Sequence, residues 1–301
     1  MSAWSAPGKL FLLGEYGVLE GGRALVGAVD RRATARLDRA AAAPSPVIAA
    51  VLAELARRGR APLEGGISVD TGAFRDAAGA KLGLGSSAAA AVLAAAVARD
   101  EGDEETLEVA IAAHRAAAGG EGSAVDVAAC FFGGVIAAKR QPSPVTALPS
   151  RLPGLHLAAL STGVPASTPE LIARARAVDR WRDHAALFSR LSDEGIDAWA
   201  RQDASRFLSV VARFGRAMEA LGREAGVAIV DARAAEVMRL AGEQGAAAKP
   251  SGAGGGDVLV LFARDPALGG VIAARAGMEL LPLGVDAVGL RRERSPKDSQ
   301  G

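Results

Sequence analysis

The sequence predicts a chain of mixed helix and strand folded as two domains, and three features predict it. Short apolar runs alternate with stretches of helical spacing from the first residues onward. A glycine and serine loop, Lys81-Leu82-Gly83-Leu84-Gly85-Ser86-Ser87-Ala88-Ala89, runs straight into an alanine-rich stretch. At 301 residues the chain is near twice a typical domain, and Gln141-Pro142-Ser143-Pro144 reads as a turn or linker.

Residues 10–13 read as a short buried strand and residues 24–37 as apolar strand material interrupted at Asp30-Arg31-Arg32. Gly14 and the Gly21-Gly22 pair punctuate them. Between residues 46 and 58 the spacing of Val47, Val51, Leu52 and Leu55 gives a helix one buried face. Helices are then expected over 87–99 and 107–118, and a strand over 133–138. The turn at 141–144 divides the chain into domains 1–150 and 151–292. In the second, a buried strand at 155–160 precedes helical stretches at 169–177 and through much of 181–222. A helix at 232–244 ends at Gly245, a glycine loop leads into a strand at 258–262, and a last helix spans 266–276. The polar run 291–301 lacks apolar anchors, and residues 293–301 are expected to be a disordered tail.

Composition narrows the function. The 35 basic and 34 acidic residues leave a net charge of +1, which offers no steering toward nucleic acid or a membrane surface. Aromatic residues make up only 4%, too few for a base-stacking platform. The alanine run at 88–98 is far shorter than the roughly 20 apolar residues of a membrane span. The opening residues show no basic run followed by an apolar one, so export is not expected. Cys130 is the only cysteine, which excludes an internal disulfide and a multi-cysteine metal site. A cytoplasmic protein acting on small molecules fits all of this.

Three segments carry the chemistry. In Ala6-Pro7-Gly8-Lys9-Leu10, a lysine stands at the mouth of a buried strand with Pro-Gly before it, and Gly14-Glu15-Tyr16 follows. In the loop at 81–89, small residues let backbone N–H groups crowd around an anion while the following helix points its positive end at the same spot. That loop is neither a G-x-x-x-x-G-K-[ST] nor a G-x-G-x-x-G motif, so it holds phosphate in another way. Lys249-Pro250-Ser251-Gly252-Ala253-Gly254-Gly255-Gly256-Asp257 resembles a closing wall for a ligand. Taken singly, each has an ordinary reading: a surface lysine, a helix cap, a turn. Their joint occurrence favours a phosphate-handling site.

These three segments, in order and spread over nearly the whole chain, resemble the GHMP kinases, which phosphorylate small molecules with ATP. The resemblance implies an α+β architecture, with a ribosomal-protein-S5-like domain, then a ferredoxin-like domain, and the active site between them. Two further stretches look like the phosphomevalonate kinases of that family. Residues 113–129 are similar to a segment ending in Gly-Ser-Gly-x-Asp-Val-Ala, here Gly122-Ser123-Ala124-Val125-Asp126-Val127-Ala128, and Thr162-Gly163-Val164-Pro165-Ala166-Ser167-Thr168-Pro169 resembles a Pro-Ala-Ser-Thr segment. Two positions depart: Ala124 stands where glycine is usual, and Glu121 where a lysine or neutral residue is expected beside an anionic substrate.

What the resemblance implies is phosphorylation of (R)-5-phosphomevalonate to its 5-diphosphate by ATP and Mg2+, in the mevalonate route to isoprenoids. Lys9 and Asp126 are the implied catalytic residues. Gly83, Leu84, Gly85, Ser86, Ser87, Ala88 and Ala89 would bind ATP, with Ser87 also touching magnesium. The family's magnesium-binding glutamate falls near Arg115 and is not carried over. Tyr16, Ser123, Ser167, Thr168, Ser251, Gly252, Ala253 and Gly254 are the candidate substrate contacts. The alternatives are a mevalonate kinase, another GHMP small-molecule kinase, or a non-catalytic sensor of the same fold. The expected assembly is a monomer or homodimer. Asp126 also has an ordinary reading as a helix-start cap, Ser167 and Thr168 as an N-cap before Pro169, His114 as a structural helix histidine, and Cys130 as core.

Overall fold

The computed structural model describes residues 3–120, 122–140, 145–164 and 167–293. Strand β1 (Ala3–Leu13) and strand β2 (Arg23–Asp38) pair antiparallel at the centre of the first sheet. Both faces of β1 are covered. Leu10 and Leu12 enter the cluster that holds the alanines of helix α2 (Ser86–Arg99), while Phe11 packs with Val26, Val125 and Ala129. A strand buried on both sides reads as a continuous apolar run, which is why residues 10–13 stand out in the sequence. The expected interruption at Asp30-Arg31-Arg32 is a bulge within one continuous strand: Pro7 pairs with Arg32 and Gly8 with Val29, leaving Asp30 and Arg31 outside the ladder.

Past that bulge, Arg32 ties the end of the chain to the first sheet. Its Nη1 lies 2.5 Å from Asp286 Oδ2, and its Nη2 donates to Ser5 O at 3.0 Å and Gly289 O at 2.7 Å. Strand β10 (Arg291–Glu293) then pairs with β1, and the Arg292 guanidinium sits 4.8 Å from the centroid of the Trp4 ring. This corrects the disordered-tail expectation at residue 293: the open edge of β1 supplies backbone partners that a polar run needs no apolar anchor to use. Residues 294–301 lie outside the described residues.

Among the described residues the strands form two antiparallel sheets. The first contains β1, β2, β3 (Gly66–Asp70), β4 (Val135–Lys139), β5 (Thr146–Leu148) and β10. Helices α1 (Pro46–Arg57), α2, α3 (Glu104–Ala117) and α4 (Val125–Phe132) accompany it. The alanines of α2 let it lie close to its neighbours on every side, and Ala88, Ala89, Ala91, Ala94, Ala95 and Ala96 are fully buried.

The second sheet runs β7 (Ala247–Ser251), β8 (Val258–Ala263), β6 (His156–Ser161), β9 (Glu279–Leu281). Helices α8 (Ala232–Glu243) and α9 (Leu268–Ala276) share one apolar cluster with it. Helix α6 (Trp181–Ala200) lies against β1 and β2, and α7 (Ala204–Ala225) packs on α6 and β7, with Trp199, Phe207 and Phe262 stacked edge to face. Leu13, Phe188, Phe214 and Val260 belong to one core that spans both sheets. The late glycine segment departs from expectation at its start, because Lys249, Pro250 and Ser251 are strand. Pro250 is tolerated there because β7 is an edge strand. Among the described residues no helix is long and apolar enough to cross a membrane.

Candidate active site

The glycine and serine loop is stitched onto β1 through Lys9. Its backbone N–H donates to Leu84 O at 2.8 Å, and its Nζ donates to Gly83 O at 3.2 Å. Gly85, at φ +85°, caps α2 without a side-chain hydrogen bond, so the first amides of the helix point at the loop unclaimed by a capping side chain. A Cβ at Gly85 would lie 2.8 Å from Lys9 Cγ, so the lysine stem occupies the space a side chain would take. Gly85→Ala is therefore expected to displace Lys9 and to strain the loop by about 1–2 kcal/mol. Turnover should fall far more than this loss of stability accounts for, and kcat beside the urea midpoint checks it.

Of the seven residues read as ATP contacts, Ser87 presents its side chain to solvent and to a cavity, while Leu84, Ala88 and Ala89 bury theirs in the core. Those three can offer only main-chain atoms to an anion. The cavity has a volume of about 590 Å³. It brings together Lys9 and Tyr16 from β1 and the turn after it, Ser87 from α2, Ser123 and Asp126 from the start of α4, Thr168 from helix α5 (Thr168–Arg176), and Gly252 and Ala253 after β7.

Three expected substrate contacts are placed elsewhere. Ser251 is buried, and its Oγ accepts the Phe11 N–H at 2.9 Å, so it fastens β7 to β1. Gly254 is held against Ile229, whose carbonyl oxygen lies 2.2 Å from where a Cβ would stand. Ser167 is exposed and precedes α5 without lining the cavity. Pro165 and Ala166 of the same segment, and Glu121, lie outside the described residues.

Asp126 sits in the first turn of α4, its Oδ1 accepting the Val127 N–H at 3.0 Å. The N-cap residue before it, Ala124, has φ +60°. The backbone thus keeps the left-handed conformation that favours glycine, and alanine carries a cost of about 1–2 kcal/mol there. Arg115 donates to the carbonyl of Arg140.

Glu15, His114 and Arg176 line the cavity as well, although sequence alone assigns them no site role. Glu15 and Lys249 form a fully buried pair, Nζ to Oε1 2.5 Å, although 234 residues separate them. Lys249 Nζ also donates to Pro250 O at 2.6 Å, and Glu15 Oε1 accepts the Gly252 N–H at 3.1 Å. Burial lowers the pKa of Lys249, and the Glu15 carboxylate opposes that. Glu15 Oε2 is buried with no hydrogen-bond partner among the described residues. Tyr16, at φ +61°, donates its hydroxyl to Ala253 O at 2.6 Å; burial, then the Glu15 charge, pushes its pKa up. His114 lines the cavity with Nε2 3.9 Å from Asp126 Oδ2, and Arg176 lines it from α5. Glu15 was legible as part of the Gly14-Glu15-Tyr16 motif, whereas nothing local distinguishes Arg176 from the other arginines.

Lysine, arginine and histidine beside two carboxylates, at the mouth of an unclaimed helix N-terminus, suit the movement of a phosphoryl group: anion-holding amides, a cation to offset charge and an acceptor for a proton. Among the described residues no three acidic, histidine or cysteine side chains gather as a metal cage. A magnesium ion carried by nucleotide phosphates needs only one or two protein oxygens. Ser87, which lines the cavity, carries a hard oxygen donor of the fitting kind.

The family model described as "GHMP kinases N terminal domain" matches residues 47–134, and "GHMP kinases C terminal" matches residues 207–276. A mevalonate kinase of Aeropyrum pernix is 31% identical over 296 residues, covering 86% of this chain and 87% of that enzyme. Among solved structures, the Lin0012 protein from Listeria innocua superposes with a TM-score of 0.84 at 22% identity, covering 97% of this chain and 100% of that one. Streptococcus pneumoniae phosphomevalonate kinase in complex with phosphomevalonate and AMPPNP superposes with a TM-score of 0.79 at 18% identity, with the same coverages of 97% and 100%.

Proposed function

Because the chain belongs to the GHMP kinases, a family of ATP-using phosphotransferases, we propose that it is a cytoplasmic kinase whose acceptor is (R)-5-phosphomevalonate, converted to 5-diphosphomevalonate. One observation carries the reading of the acceptor. Ser123, Asp126 and Thr168, from the two segments that look like phosphomevalonate kinases, line one cavity with Lys9, and Arg176 and His114 add cationic or hydrogen-bonding groups to the same wall.

In this reading the amides of residues 83–88 hold the β- and γ-phosphates of ATP, and Lys9 offsets charge on the transferring group. Phosphoryl transfer depends on alignment more than on covalent chemistry, so the fixed stem of Lys9 against Gly85 matters as much as its charge. An acceptor phosphate oxygen bonds to the γ-phosphorus, the bond to the β–γ bridging oxygen breaks, and ADP leaves with that electron pair. Asp126 takes or orients any proton on the acceptor oxygen. Magnesium, held by Ser87 and the nucleotide, would neutralise phosphate charge.

A second reading has its own support: the 31% identical relative is a mevalonate kinase, which puts mevalonate forward as the acceptor. The separating experiment is ADP release from ATP and Mg2+ with mevalonate 5-phosphate and mevalonate offered separately. Turnover with the phosphate ester alone is the expected result. Turnover with mevalonate moves the assignment to mevalonate kinase. Silence with both removes both acceptors and leaves another GHMP substrate or a ligand sensor.

A further inference from the structure

A second cavity, of about 700 Å³, lies beside the first and shares Leu19 with it. Its charged lining is Glu20 from the turn after β1, Arg115 in the last turn of α3, and Lys139 and Arg140 at and just past the end of β4. The two guanidiniums are fixed by backbone carbonyls rather than by acids. Arg140 donates to Gly120 O at 3.1 Å and to Leu19 O at 3.4 Å, and Arg115 donates to the carbonyl of Arg140.

Among the described residues the single carboxylate in the lining is directed elsewhere. Glu20 Oε1 accepts the Trp181 indole N–H at 3.1 Å and lies 3.6 Å from Arg176 Nη2. Arg115, Lys139 and Arg140 make no ion pair among the described residues. Arg115 Nε is buried without a hydrogen-bond partner. Burial first, and then the neighbouring Arg140 charge, hold the Arg115 guanidinium below its usual value. Three cations around an open volume, both guanidiniums held by main-chain carbonyls, form an arrangement that a bound anion would relieve.

We propose that this cleft is an oxyanion site, taking a phosphate or carboxylate group on Arg115, Lys139 and Arg140. That group has two sources: the far end of an acceptor reaching past Leu19, or a separate phosphate-bearing small molecule. The site stands on its own lining and does not depend on which acceptor the kinase uses.

The test is calorimetric titration of inorganic pyrophosphate into the full chain with saturating ADP present, so that the nucleotide loop is filled. Binding should persist under ADP and weaken roughly tenfold in Arg140→Ala, the equivalent of losing one charge-assisted contact. Lys139→Ala removes an exposed side chain with no ion pair, so it keeps the test valid if Arg140→Ala fails to fold. It should weaken binding severalfold with an unchanged thermal midpoint. Repeating the titration with saturating acceptor separates the sources: competition assigns the site to the acceptor's end, and simultaneous binding assigns it to a separate ligand. Loss of pyrophosphate binding when ADP is added, or affinity unchanged in Lys139→Ala, overturns the proposal.

Discussion

Asp126→Ala is expected to lower kcat by roughly 10²–10⁴-fold, the range for removal of a positioned acid–base group, while the KM for ATP stays within a few-fold. The expectation follows from where the side chain sits. Asp126 lines the cavity from the start of α4, and the loop at 83–88 enters that cavity through Ser87 from α2. Its only hydrogen bond among the described residues is from the adjacent Val127 N–H, so folding should lose no more than about 1 kcal/mol. Steady-state kinetics with both acceptors, beside a thermal melt, read the two effects separately. A kcat within threefold of the parent would remove Asp126 from the chemistry and return it to the role of a helix-start cap. Because a phosphate acceptor is already ionised, the loss with mevalonate 5-phosphate should lie toward the lower end of that range.

Glu15→Ala is expected to cost about 3–5 kcal/mol of folding stability, the scale for stripping one partner from a buried ion pair. Typical domains have only about 5–15 kcal/mol in total, so the variant should be close to unfolding at physiological temperature. The alanine would leave the Lys249 ammonium fully buried with Pro250 O as its remaining acceptor and the Gly252 N–H without its carboxylate. The same change loosens the join between the sheets, because Glu15 follows β1 and Lys249 lies in β7. Urea unfolding of Glu15→Ala, Lys249→Met and the double variant Glu15→Leu/Lys249→Met tests this. The double variant should recover most of the stability, since an apolar pair of similar volume leaves no uncompensated charge. A single-variant loss below about 1 kcal/mol would show that water or relaxation reaches the pair and that it does not hold the sheets together.

Much of the candidate site was legible in the sequence because it rests on local chemistry. Gly83 and Gly85 adopt positive φ, as a loop made for an anion requires, and α2 begins where the serines indicate. Lys9, Ser123, Asp126 and Thr168 fall on one cavity although they come from three separate segments. The residues placed off the cavity are short polar or small ones with two possible uses. Ser251 could face a ligand or receive a backbone N–H, and the packing of β7 on β1 gave it the second. Gly254 could border a ligand or let two backbones approach, and its closeness to Ile229 O decided for approach.

By itself the sequence determined the order of the helices, the burial of β1, and the glycine loop that opens α2, since these follow from residue size, apolar spacing and backbone freedom within a few positions. Only the tertiary structure decided that residue 293 joins the first sheet, that Asp30 and Arg31 form a bulge, and that Glu15 neutralises Lys249 from 234 residues away. The physical reason is range. Backbone propensity and side-chain spacing act between neighbours in the chain, whereas an edge strand's unpaired N–H and C=O groups or a buried charge must find partners across the fold, and several polar segments of similar composition could have supplied them.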